Sequence, residues 1–150
     1  MSERGVAGSI LSLVVLYGLA GCGLGQAHLR GADGRLAPCD RDRCVSSLSE
    51  DPAYAIEPLR YQGGRDHARQ ALMEVIEATP RLRVDAAQDD YIHATATSRI
   101  MRFVDDLELV FAEQPGRIDV RSASRLGYSD FGVNRERVEA LRRQFEAQSP

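Results

Sequence analysis

The chain has 150 residues, a formal net charge of −3, 43% hydrophobic and 27% charged residues, which is the composition of one globular domain and excludes disordered, fibrous and multidomain classes. All 19 basic residues are arginine, spread among 22 acidic ones. The basic patch or arm of a nucleic-acid binder is missing, so no nucleic-acid partner is expected.

After Glu3 and Arg4 an uncharged run extends from Gly5 to Leu29, with its strongly apolar centre at Ile10 to Ala20. A charged start, a short apolar stretch and small residues after it describe an export signal. Eight glycines and serines from Gly5 to Gly25 dilute the run, which argues against a spanning helix of ~20 apolar residues. Leu19-Ala20-Gly21-Cys22 resembles the lipobox of bacterial lipoproteins, in which the peptidase cuts before an acylated cysteine. The resemblance implies a signal at residues 1–21, lipid on Cys22, palmitate-type chains in a bilayer, and a domain facing the periplasm or the cell exterior. Gly23 resembles the residue after the cysteine in lipoproteins sent to an outer membrane.

Gly23 to Arg35 is rich in Gly and small polar residues, so residues 22–37 are expected to be lipidated N-terminus and flexible linker, with His28 a solvated member of it. Residues 38–150 then form the single domain. Cys39 and Cys44 remain as an even pair, which an oxidising compartment makes most simply a disulfide. Its six-residue loop is worth only ~2 kcal/mol by loop-closure entropy. The Cys-x4-Cys spacing also suits zinc, but no second cysteine pair completes a site.

Tyr54 to Tyr61 reads as extended, with Pro58 at an edge. A helix is expected from Asp66, its N-cap, with the apolar stripe Ala68, Leu72, Val75 and Ile76 and an end at Pro80. His67 falls on its exposed side. Four strands follow, at 82–86, 91–97, 106–112 and 117–124, the last two joined by a Pro115-Gly116 turn. Residues 99–104 widen a loop or lengthen a strand; Met73 and Met101 are expected to fill core gaps. A final helix from Asn134 to Gln148, capped by Asn134 or Asp130, carries Val138, Leu141 and Phe145. Runs of strands flanked by helices specify an α+β domain, an antiparallel sheet of four to five strands with both helices on one face.

The segments Tyr91 to Ala94, Arg102 to Glu108 and above all Ile118 to Glu139, whose core reads RSASRLGYSD…GVNRERVE, resemble the family catalogued as domain of unknown function 1499. Cys39, Cys44-Val45-Ser46-Ser47 and Glu57-Pro58-Leu59 fit it as well. The likeness runs from 38 to 145 and implies membrane association without assigning a reaction. The family pattern has proline after the first cysteine and asparagine before the second, where this chain has Asp40 and Arg43.

Strand alternation puts Asp119, Arg121 and Arg125 on one face of the last strand, with Ile118, Val120, Ser122 and Ser124 on the other. Across the hairpin Glu108 should meet Arg121, with Asp105, Asp106 and Arg125 near the end and His93, Thr95 and Thr97 alongside. The carboxylates with His93 could perform general acid/base work. Asp105, Asp106 and Glu108 could hold a divalent cation. Arg121, Arg125 and Arg135 could grip an anion. Plain cross-strand ion pairing accounts for the same residues, and Arg125 with Asp130 could simply brace the turn before the last helix. No cofactor motif, nucleophile elbow or metalloprotease motif is present, so neither a cofactor nor a metal is expected.

The favoured reading is a binding or accessory module at the envelope. Its polar site comprises His93, Asp105, Asp106, Glu108, Arg121, Ser122, Ser124, Arg125, Asp130, Asn134 and Arg135, and it takes a small anionic ligand or an envelope protein partner. The rival is an envelope hydrolase or metal-dependent enzyme using Asp105, Asp106, Glu108 and His93. On the favoured reading, replacing Arg121 and Arg125 by Ala abolishes binding and barely lowers the melting temperature.

Overall fold

A computed structural model describes residues 29–148; the expected signal, Cys22 and His28 lie outside them. Chain order is β1 (Cys44–Ser46), β2 (Leu59–Arg60), α1 (Arg65–Ala78), β3 (Leu82–Ala87), β4 (Tyr91–Thr97), β5 (Val104–Phe111), β6 (Arg117–Ser124) and α2 (Val133–Gln148). The strands form one antiparallel sheet in the order β1-β6-β5-β4-β3, with β2 also paired to β6. The α+β fold is as the patterns specify. No helix among the described residues is long and apolar enough to cross a membrane.

Both helices cover one face. Leu72, Val75 and Ile76 of α1 and Val138, Leu141 and Phe145 of α2 are buried against Ile92, Leu107, Leu109, Ile118 and Val120 of the sheet. Each such side chain contributes about 1.5–3 kcal/mol by leaving water, so this layer supplies most of the driving force. Its sheet side consists of the alternate residues that strand periodicity selects.

Several local expectations need correction. The cap of α1 is Gly64, without a side-chain bond; Asp66 lies inside the first turn, where its charge suits the helix dipole. Asp130, not Asn134, caps α2, accepting from the Gly132 and Asn134 backbone N–H groups at 3.0 and 2.8 Å. β1 was not foreseen, because three residues carry no period; they become a strand by pairing with the outer edge of β6. Met73 packs against the core, but Met101 is exposed on the 98–103 loop. The Ser98 hydroxyl and backbone N–H close that loop, the hydroxyl accepting from the Phe103 N–H and the Ser98 N–H donating to the Phe103 carbonyl.

The described end of the expected linker also differs from expectation. Leu29 to Ala37 crosses the sheet face that the helices leave open: the Arg30 N–H donates to Glu108 Oε1 at 2.6 Å, and Leu36 is buried. Cys39 and Cys44 are disulfide-bonded, Cα to Cα 5.5 Å, which ties the end of this segment to β1.

Candidate functional site

Alternation along β4, β5 and β6 sorts the polar residues onto two faces. Register pairs Glu108 with His93 and with Arg121, and Asp106 with Thr95 and Ala123; these residues share the open face. Asp105 pairs with Ala96 and Ser124, and Leu107 with Ala94 and Ser122, so Asp105, Ser122 and Ser124 lie beneath the helices. Asp105 is therefore separated from Asp106 and Glu108 by the sheet itself, against the expected grouping.

On the open face Glu108 is fully buried and accepts three hydrogen bonds. Tyr91 Oη and the Arg30 N–H donate to Oε1, and Arg121 Nη1 donates to Oε2 at 2.9 Å. The Arg30 guanidinium stacks 4.9 Å from the Tyr91 ring centroid, a favourable cation–π distance. Burial, then the charge and hydrogen bond of Glu108, push the Tyr91 hydroxyl far above its ordinary range, so it stays a donor.

Two residues along the same face, Asp106 receives a fork from Arg125, Nε to Oδ2 at 3.0 Å and Nη2 to Oδ1 at 2.8 Å. His93 Nε2 donates to the same Oδ1 at 2.8 Å. Burial alone would raise the Asp106 pKa, but the hydrogen bonds and charges of His93 and Arg125 outweigh it and hold the carboxyl below its ordinary 3.8. The same bond raises Arg125 above its ordinary value. Both ions are fixed as charges, as charge-assisted forks require.

Beside these pairs opens a cleft of about 240 Å³. Four arginines, Arg41, Arg43, Arg121 and Arg125, line it against two aspartates, Asp40 and Asp106. Arg121 is 6% exposed, yet its Nε has no hydrogen-bond partner among the described residues. An unmet buried donor costs of the order of 1–3 kcal/mol, and more on a charged group. A broader groove adjoins through Arg125 and is lined by His93, Thr95 and four further arginines, Arg81, Arg83, Arg99 and Arg102, against Asp85.

Beneath the helices the second cluster closes on itself. Arg137 donates to Asp105, Ser122 and Asn134; Ser122 Oγ donates to Asn134 Oδ1 at 2.6 Å; Asn134 Nδ2 donates to Ser124 Oγ and the Arg43 carbonyl. Arg135 joins neither cluster: its guanidinium bonds the Ala53 and Ala55 carbonyls. Asp130 caps its helix rather than pairing with Arg125.

The expected list thus divides. His93, Asp106, Glu108, Arg121 and Arg125 come together; Asp105, Ser122, Ser124 and Asn134 form the second cluster; Asp130 and Arg135 act elsewhere. Among the described residues no three His, Cys, Asp or Glu side chains gather as a metal-ligand set, since each clustered carboxylate faces an arginine. Tyr91, Arg30, Arg41, Arg43 and Arg137 were missed. Tyr91 was legible two residues before His93 on the same strand face, and Arg137 one helical turn after Asn134. Arg30, Arg41 and Arg43 carry no periodicity that would place them.

The family model described as protein of unknown function (DUF1499) matches residues 35–145, so the chain belongs to that family. No curated protein and no solved structure matches the chain.

Proposed function

We propose that this member of the DUF1499 family is an acylated envelope lipoprotein, anchored through Cys22, whose domain binds a small anionic ligand in the open-face cleft. The anchor rests on the Leu19-Ala20-Gly21-Cys22 sequence and predicts that mass spectrometry of the membrane fraction finds a mature chain beginning at acylated Cys22. An unmodified N-terminus at another residue contradicts it.

The observation that carries the binding role is the state of Arg121: fixed by Glu108, lining a cleft where arginines outnumber aspartates, and with an Nε that no described residue satisfies. Arg125 is likewise fixed by Asp106. Two guanidiniums oriented in advance lose little freedom on meeting a phosphate or carboxylate group. Calorimetric titration of the full chain with inorganic pyrophosphate and with citrate is expected to show saturable binding of at least one. Arg41→Gln, at an exposed rim position, should weaken it several-fold and change stability by less than about 0.5 kcal/mol. No saturable heat with either anion, or identical binding by Arg41→Gln, contradicts the reading.

A hydrolytic reading has one observation in its favour, the bond from His93 to Asp106, which orients a ring that also lines the adjoining groove. Such a histidine could take a proton from water. Against it, no hydroxyl or thiol among the described residues hydrogen-bonds His93, and Asp105 sits on the far face. Hydrolysis of a nitrophenyl ester or phosphate that vanishes in His93→Asn would restore it.

A further inference from the structure

Of eight large hydrophobic side chains exposed among the described residues, seven lie on two neighbouring segments, 98–103 and 126–133. The segments leave the same end of the sheet. Thr97 pairs with Val104, Asp105 with Ser124, and the Arg125 N–H donates to the Val104 carbonyl at 3.1 Å. Ile100 is 85% exposed, Tyr128 99% and Phe131 93%, with Met101, Phe103 and Leu126 beside them. Scattered apolar residues are ordinary on a surface; a cluster at one end is not.

The backbone at this end is committed to that display. Ser98 closes the 98–103 loop on both sides of Phe103. The three non-glycine residues with left-handed φ among those described, Arg81, Arg102 and Phe131, are all here, since the Thr97 N–H bonds the Arg81 carbonyl. Such conformations cost free energy and cluster at functional sites.

Charge decides the occupant. Arg81, Arg99 and Arg102 are exposed around the first loop and make no ion pair among the described residues. Asp40 and Asp42 lie near Tyr128 instead, so the basic side is that of Ile100. Aliphatic tips ringed by arginines match a bilayer surface carrying anionic headgroups: the tips enter the interface and the guanidiniums remain at headgroup level.

We infer that the 98–103 loop, with 126–131 beside it, docks on an anionic lipid bilayer. This contact is independent of the anion cleft and additional to the lipid on Cys22. The tether permits it. Arg30 sits by Tyr91 and Asp90 at the opposite end of the sheet, and the seven residue steps from Cys22 to Leu29 span at most about 25 Å. The six residue steps from Tyr91 to Thr97 of β4 rise about 20 Å, so the domain can tip its loops onto the bilayer that holds its anchor.

The chain contains no tryptophan, so one introduced indole reports one position. Full-length Ile100→Trp, Tyr128→Trp and, at the exposed Leu48 away from this end, Leu48→Trp are each mixed with phosphatidylcholine vesicles containing or lacking phosphatidylglycerol, with a spin-labelled lipid as quencher. Ile100→Trp should blue-shift and be quenched most deeply, Tyr128→Trp less, Leu48→Trp hardly at all, and only with the anionic lipid. Adding Arg99→Gln and Arg102→Gln should lower the docked-to-undocked ratio about five-fold per arginine. Ile100→Trp unquenched, or quenched no more than Leu48→Trp, overturns the proposal and leaves the patch to a protein partner. Equal quenching with neutral vesicles overturns the charge recognition.

Discussion

The two polar clusters each hold an aspartate–arginine pair, Asp106–Arg125 and Asp105–Arg137, on opposite sides of one sheet, and they end in different states. Under the helices, Asp105, Ser122, Ser124, Asn134 and Arg137 satisfy one another, with Asp105, Ser122 and Asn134 buried. On the open face, Glu108 and Asp106 hold Arg121 and Arg125 beside a cleft, and one buried Nε is left without an acceptor. Closure makes the first cluster a brace between helix and sheet. Incomplete closure of the second is the observation on which the proposed anion binding rests.

The largest effect should come from Glu108→Ala. It leaves Arg121 buried without its counter-charge, an outcome worth about 3–5 kcal/mol, and it strands the donors from Tyr91 and Arg30. The expectation that Arg121 and Arg125 could be removed at little cost to stability therefore does not survive the geometry: their removal orphans Glu108 and Asp106. Asp105→Ala should cost less, roughly 2–3 kcal/mol, because Arg137 keeps Ser122 and Asn134. Chemical denaturation measures both. The contrast sharpens if Asp105→Ala leaves anion affinity unchanged; loss of anion binding in that variant breaks it.

Reduction of the Cys39–Cys44 bond should lower stability by ~2 kcal/mol. It should also weaken anion binding, because the loop it closes carries Arg41 and Arg43 on the cleft wall. Calorimetry with and without reductant checks both.

A smaller effect follows from pH. The Asp106 pKa is lower in the folded chain than its ordinary 3.8, so the unfolded state takes up the proton first. Its contribution is complete above 3.8 and disappears as pH falls through the lower native value. Urea midpoints measured between about pH 5 and about pH 2 should fall with acid, and less steeply in Asp106→Asn.

The sequence made the helix-covered core legible because burial on one side imposes a period: the α1 and α2 stripes and the alternation of Leu107, Leu109 and Phe111 follow from it. The same alternation foretold that Glu108 meets Arg121. It did not reach Asp105, because the expected strand began at Asp106; β5 starts at Val104, so Asp105 takes the face opposite Asp106. β1, the path of Arg30 and the arginines of the cleft depend on a non-repeating segment laid across the sheet, and no local pattern encodes where such a segment settles.

Arginine side-chain Nε–Hε resonances, followed by NMR as inorganic pyrophosphate is added, put the contrast between the two faces to its most direct test. The Arg121 and Arg125 signals should move together and saturate while Arg137 stays fixed. Arg137 shifting with them, or Arg121 unmoved at saturating pyrophosphate, would contradict the assignment of the open face as the binding site.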